Sequence, residues 1–249
     1  MRTILTFLCC LASFPAARAD EVLVAVAANF AAPMKEIAES FARATGHRAL
    51  LAFGSTGRLY AQIRNGAPFA VLLAADRETP ERLERFGLTV PGTRRTYAIG
   101  RLALWSPVAG QVDEAGQVLK TGNVGRLAIA NPKLAPYGRA AAQTLQALGL
   151  WQSLRPRLVT AESIAQSHQF VASGNVPLGF VALSQVVRGG RLLSGSAWQV
   201  PERLHQPLRQ DLAVLRPGEH SPAAAALLRY LASAEARRVI TDYGYRFVP

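Results

Sequence analysis

Apolar and polar positions along this chain follow two rhythms that take turns. Residues 21–28 (EVLVAVAA) are apolar almost throughout, as suits a strand buried on both faces of a parallel sheet. Met34, Ile37, Ala38 and Phe41 then recur at helical spacing until Gly46 stops the helix. Residues 48–53 predict a second strand, and Leu59, Tyr60 and Ile63 open a second helix. Residues 69–74 predict a third strand, and residues 79–86 a short helix with Pro80 at an early position. After one longer strand-like segment, residues 97–105, the alternation restarts. Residues 127–130 predict a strand, and a helix carrying Ala141, Leu145 and Leu148 runs to Gly149. Val159 and Thr160 mark a short strand entering a helix over residues 164–172, residues 178–183 (LGFVAL) a buried strand, and residues 212–215 another. One terminal helix is expected over residues 222–243. Strands alternating with helices at this spacing predict an α/β fold with parallel sheets.

Two such halves predict two lobes. The crossings are expected near residues 97–101 and 209–212, giving lobe 1 as residues 20–98 plus 212–249 and lobe 2 as residues 99–211. Residues 1–19 stand apart from both. A positive start at Arg2, an apolar run from Ile4 to Leu11, and Ala17-Arg18-Ala19 make a secretory signal peptide cleaved after Ala19. Leu8-Cys9-Cys10-Leu11 does not suit a lipidation site, and both cysteines leave with the signal. The mature chain then has no disulfide and no thiolate, although it is exported to an oxidising space. No later run reaches the roughly 18 uncharged apolar residues a membrane helix needs. The formal net charge is +12, and losing Arg2 and Arg18 leaves the chain strongly basic. Its basic residues are scattered, without the interleaved aromatics of a nucleic-acid platform, so no nucleic-acid partner is expected.

The candidate chemistry lies where strands end and helices begin. Ala27-Ala28-Asn29-Phe30, Phe53-Gly54-Ser55-Thr56-Gly57 and Ala135-Pro136-Tyr137-Gly138-Arg139 share that layout, and Thr160-Ala161-Glu162-Ser163-Ile164 repeats it more weakly. The first backbone N–H groups of a helix lack intrahelical partners, and the helix dipole favours negative charge there. A fully ionised oxyanion offers only acceptors, so neutral donors suit it. Each loop also has a plainer reading: Ser55 and Thr56 as helix caps, Tyr137 as a packed aromatic, Asp76 as a cap for the segment after its strand. His47, His168, His205 and His220 are far apart in sequence and predict no metal site. Neither a P-loop nor a GxSxG elbow is present, which leaves a secreted α/β hydrolase or transferase as a rival without a visible nucleophile.

The ordered segments AANF, FGSTGRLYAQI, GAPFAVLLAAD, ANPKLAPYGRAA and AESIAQ…GFVALSQ resemble the periplasmic molybdate-binding proteins of ABC importers, over nearly the whole mature chain. That resemblance implies the two-lobed (type II) periplasmic binding protein fold, with oxyanion ligands from both lobes and no cofactor or catalytic residue. It implies Ala28, through its backbone, together with Asn29, Ser55, Thr56, Tyr137 and Ile164 as the anion-binding set. The Asn-Phe pair resembles a smaller branch of that family. Ala182 stands where many members place a tyrosine, and Tyr137 is expected to supply the missing phenol. Ala70 and Ala74 replace more polar residues at packing positions. The implied partners are molybdate or tungstate and an inner-membrane permease, with the chain a periplasmic monomer. Sulfate or phosphate is the alternative cargo. Thr56→Val is expected to lower affinity while hardly changing the melting point of the anion-free protein.

Overall fold

The computed structural model describes residues 20–121 and 124–248, so the expected signal peptide lies outside the described residues. The first lobe begins with β1 (Glu21–Ala27), α1 (Ala31–Thr45), β2 (Arg48–Gly54), α2 (Thr56–Arg64), β3 (Val71–Leu73), α3 (Glu78–Arg85) and β4 (Arg95–Gly100). The chain then builds a second lobe from β5 (Leu102–Ser106), β6 (Leu127–Ala130), α4 (Pro136–Ala147), α5 (Trp151–Leu154), β7 (Leu158–Ala161), α6 (Ile164–Ala172), β8 (Leu178–Ala182), β9 (Val187–Arg188), β10 (Arg191–Leu192) and β11 (Ser196–Gln199). It returns to the first through β12 (Leu208–Val214), α7 (Pro222–Leu231) and α8 (Ala234–Asp242).

Each lobe has one five-stranded sheet, ordered β2-β1-β3-β12-β4 and β11-β5-β8-β6-β7, and β9 pairs with β10 in a separate ribbon. β2, β1 and β3 are parallel, and β12 runs against both of its neighbours. In the second sheet β8, β6 and β7 are parallel, and β5 runs against both of its neighbours. The sheets are thus mainly parallel, each with one reversed strand at a crossing between lobes. The apolar run of β1 follows from burial on both faces. Val22, Val24 and Val26 pack with Met34, Ile37 and Phe41 of α1 and with Leu227 and Ile240 of the terminal helices. Ala25 points the other way, to Leu59 and Ile63 of α2 and Leu83 of α3. Ala70 and Ala74 are buried in these two clusters.

Three expectations are corrected. Residues 97–105 form two strands in different sheets, because the chain crosses between lobes at Arg101. A lobe boundary after residue 98 therefore cuts β4, and one before Leu212 cuts β12, whose residues from Leu208 onward pair with β4. The terminal helix is two helices, because Ser233 accepts a hydrogen bond from Ala236 N and starts α8 afresh. Among the described residues no helix is long and apolar enough to cross a membrane.

Candidate functional site

All six residues implied by the resemblance, Ala28, Asn29, Ser55, Thr56, Tyr137 and Ile164, line one small cavity between the lobes. Ala27, Ala75, Ala135 and Pro136 complete its wall, and among the described residues no acidic or basic side chain is part of it. The N-termini of α2, α4 and α6 meet there, beginning at Thr56, Pro136 and Ile164. First-turn N–H groups have no partner inside their own helix, so three partial positive charges converge on a space walled by neutral groups.

Ser55 separates the ligand reading from the capping one. It occupies the N-cap position of α2 but makes no capping bond. The other N-cap serines do cap: Ser163 accepts from Gln166 N at 3.2 Å, Ser221 from Ala224 N at 3.1 Å, and Ser233 from Ala236 N at 3.2 Å. The Ser55 hydroxyl is buried without any hydrogen-bond partner. An unpaired buried polar group costs about 1–3 kcal/mol, and this one belongs to a residue of the cavity wall. Thr56 differs. Its Oγ1 accepts from Ala75 N at 3.1 Å, which ties α2 to the end of β3 and leaves the hydroxyl proton to donate. Thr56→Val would strand the Ala75 N–H, so the expectation of an unchanged melting point is corrected. That variant should lose about 1–3 kcal/mol of stability as well as affinity, a result that thermal melting without anion will check.

Asn29 and Tyr137 reach the cavity from a buried polar cluster. Asn29 Nδ2 donates to Gln210 Oε1 at 2.9 Å and to the Tyr245 hydroxyl at 3.0 Å. Its carbonyl accepts from Ser184 Oγ at 2.9 Å and from Tyr245 at 2.8 Å. Both side-chain protons of Asn29 are thus committed within the protein. The Tyr137 oxygen accepts from Gln210 Nε2 at 3.0 Å. Burial pushes the phenols of Tyr97, Tyr137 and Tyr245 above the ordinary range, well above it for Tyr97 and Tyr137, so all three stay neutral donors. Ile164 is held in place from behind: Gln185 accepts from Ala182 N at 2.8 Å and donates to the Ile164 carbonyl at 3.2 Å. Ala182 itself is buried in the apolar cluster that also contains Tyr137.

Sequence reasoning missed Gln210, Tyr97, Tyr245 and Ser184, whose partners lie far off along the chain. The only local signal was Gln210-Asp211, two polar residues immediately before an apolar run.

The lobes meet closely around the cavity. Gly57 N donates to Leu134 O at 2.8 Å, and a Cβ at position 57 would stand 3.0 Å from that oxygen, so glycine permits the approach. Arg58 pairs with Glu162 at 2.5 Å, and Arg139 with Asp76 at 2.8 Å and Glu78 at 3.2 Å, each pair joining the two lobes. Asp76 also accepts from Thr79 N at 3.0 Å, the capping role expected of it. Burial, opposed by the Thr79 and Arg139 contacts, raises the Asp76 carboxyl above its usual range. Among the described residues no group of three or more His, Cys, Asp or Glu side chains could hold a metal ion.

Known proteins resemble this chain over nearly its whole length. The family model described as bacterial extracellular solute-binding protein matches residues 22–246. The chain is 56% identical over 230 residues to the molybdate-binding protein ModA of Azotobacter vinelandii, covering 92% of this chain and 91% of that one. It is 48% identical over 233 residues to the ModA of Rhodobacter capsulatus, covering 94% and 90%. The solved structure of an Azotobacter vinelandii periplasmic molybdate-binding protein superposes with a TM-score of 0.89 at 38% identity, covering 92% of this chain and all of that one. By this match over nearly its whole length, the chain belongs to the bacterial extracellular solute-binding proteins.

Proposed function

We propose that this chain captures molybdate, with tungstate as a close second, in the periplasm and hands it to an ABC importer. The observation that carries this reading is the buried, unpartnered Ser55 hydroxyl in a cavity ringed by helix N-termini and free of charged side chains. Ser55 Oγ, Thr56 Oγ1, the Tyr137 hydroxyl and the first-turn N–H groups of α2, α4 and α6 supply donors from both lobes. Asn29 shapes the cavity through its bonds to Gln210 and Tyr245, and Ala28 contributes backbone. The names of the 56% and 48% identical relatives support molybdate as the cargo. The role is binding, not turnover. It needs no cofactor, since molybdenum enters already inside the oxyanion. The protein works as a monomer, released by cleavage after Ala19.

Calorimetric titration of the mature chain tests this reading. Molybdate and tungstate should bind far more tightly than sulfate or phosphate, and equal affinity for sulfate would overturn molybdate as the cargo. A second expectation concerns pH. Among the described residues Tyr137 is the only ionisable side chain in the cavity wall, and burial holds its proton well above the ordinary phenol range. Molybdate affinity should therefore stay flat between about pH 6 and pH 9. A fall within that window would show a titrating group in the site.

A further inference from the structure

Gln210 has no exposed surface and forms no part of the cavity wall, yet it bonds to two residues that do. Its Oε1 accepts from Asn29 Nδ2 at 2.9 Å and from the Tyr97 hydroxyl at 2.9 Å. Its Nε2 donates to the Tyr137 hydroxyl at 3.0 Å. Asn29 belongs to lobe 1 and Tyr137 to lobe 2, so one amide joins the two halves of the site from below.

Two local features make room for it. The register of β12 against β4 shifts between Gln210 and Asp211, and such a bulge re-aims a side chain. Both consecutive residues are buried: Gln210 serves the site, and Asp211 pairs with Arg94 and Thr96. Position 100 is the second feature. A Cβ there would overlap both the Tyr137 hydroxyl and Gln210 Nε2, so glycine keeps that space open.

Bond direction decides what Gln210 does. A phenol has one proton to give, and an oxygen that accepts from Gln210 keeps that proton for another partner. Tyr245, a neutral hydroxyl of the same buried cluster, already accepts from Asn29 Nδ2. An oxyanion in the cavity is a charged acceptor and therefore the stronger one. We infer that Gln210 is a positioning residue that fixes Tyr137 as a donor toward the cavity and links that donor to Asn29 across the lobes. An oxyanion that still carries a proton meets a Tyr137 oxygen already occupied by Gln210 and is disfavoured. The inference rests on the reading that the cavity takes an oxyanion.

A double-mutant cycle tests it on the full mature chain, with molybdate as the probe. Gln210→Met and Tyr137→Phe should each weaken binding by roughly tenfold or more, mainly through faster dissociation. Combined, they should cost clearly less than the product of the two single losses, because Gln210 acts mainly through Tyr137. Losses that multiply, or an unchanged Gln210→Met protein, would overturn the inference. A role in packing alone would lower the melting point without this coupling. Should Gln210→Met fail to fold, Gln210→Leu removes the same donor without adding a charge, and the same cycle applies. Parent protein that binds no molybdate would instead refute the functional reading.

Discussion

Ser55→Ala should weaken molybdate binding by roughly ten- to a hundredfold while leaving the anion-free protein as stable as the parent, or more so. Two opposing effects decide the stability. A serine that caps a helix loses about 0.5–2 kcal/mol on truncation to alanine, but only where the capping bond exists. Here it does not, and the hydroxyl is buried and unpaired. Removing such a group relieves a cost of about 1–3 kcal/mol. In a protein of this size each kcal/mol moves the melting temperature by about 2–4 °C. Binding runs the other way, since a hydrogen bond to a charged acceptor contributes about 1.5–3 kcal/mol. Calorimetry and thermal melting on one preparation give both numbers. If the variant melts lower and binds like the parent, Ser55 is a helix cap and not a ligand. Thr56→Val is the internal contrast, because it should lose on both counts.

Gly138→Ala should abolish high-affinity binding and also destabilise the fold. A Cβ at position 138 would overlap the carbonyl oxygen of Ala130 and crowd the backbone of Asn131. These are backbone atoms at the end of β6, so no side-chain rotation can relieve the clash. Overpacking of this kind costs about 1–3 kcal/mol, and α4 must lift from β6 to accommodate it. That movement carries Pro136 and Tyr137 away from the cavity they line. A lower melting temperature together with lost molybdate binding is the expected pair of results. Parent-like affinity would mean that the α4 N-terminus is not needed for the anion.

Local pattern makes the loops of the site readable. Each strand-to-helix junction has its own signature, and β1, α1, β2 and α2 follow from apolar spacing and from Gly46, whose positive φ of 75° closes α1. Helix α6, predicted over residues 164–172, spans Ile164–Ala172. What escapes a local reading depends on contacts between distant residues. Nothing in residues 97–105 says that Arg101 leaves one sheet for another, because both sides of the crossing are β-rich and apolar. The Tyr137–Gln210 bond joins positions 73 residues apart, and Asn29 to Tyr245 spans 216. Local pattern therefore marks which residues line the cavity but not which protons they have left to give. A phenol alone predicts a donor at Tyr137, whereas its donor role depends on Gln210 occupying its oxygen.

The strand order of the first sheet also sets a schedule for folding. β4 joins that sheet only through β12, so until residues 208–214 are in place β3 has an open edge and β4 has no neighbour. The second sheet is built entirely from residues 102–199, one unbroken stretch. Lobe 2 can therefore close on itself while lobe 1 still waits for the last part of the chain. Long-range pairing of this kind slows folding, and an unpaired edge is prone to associate with other chains.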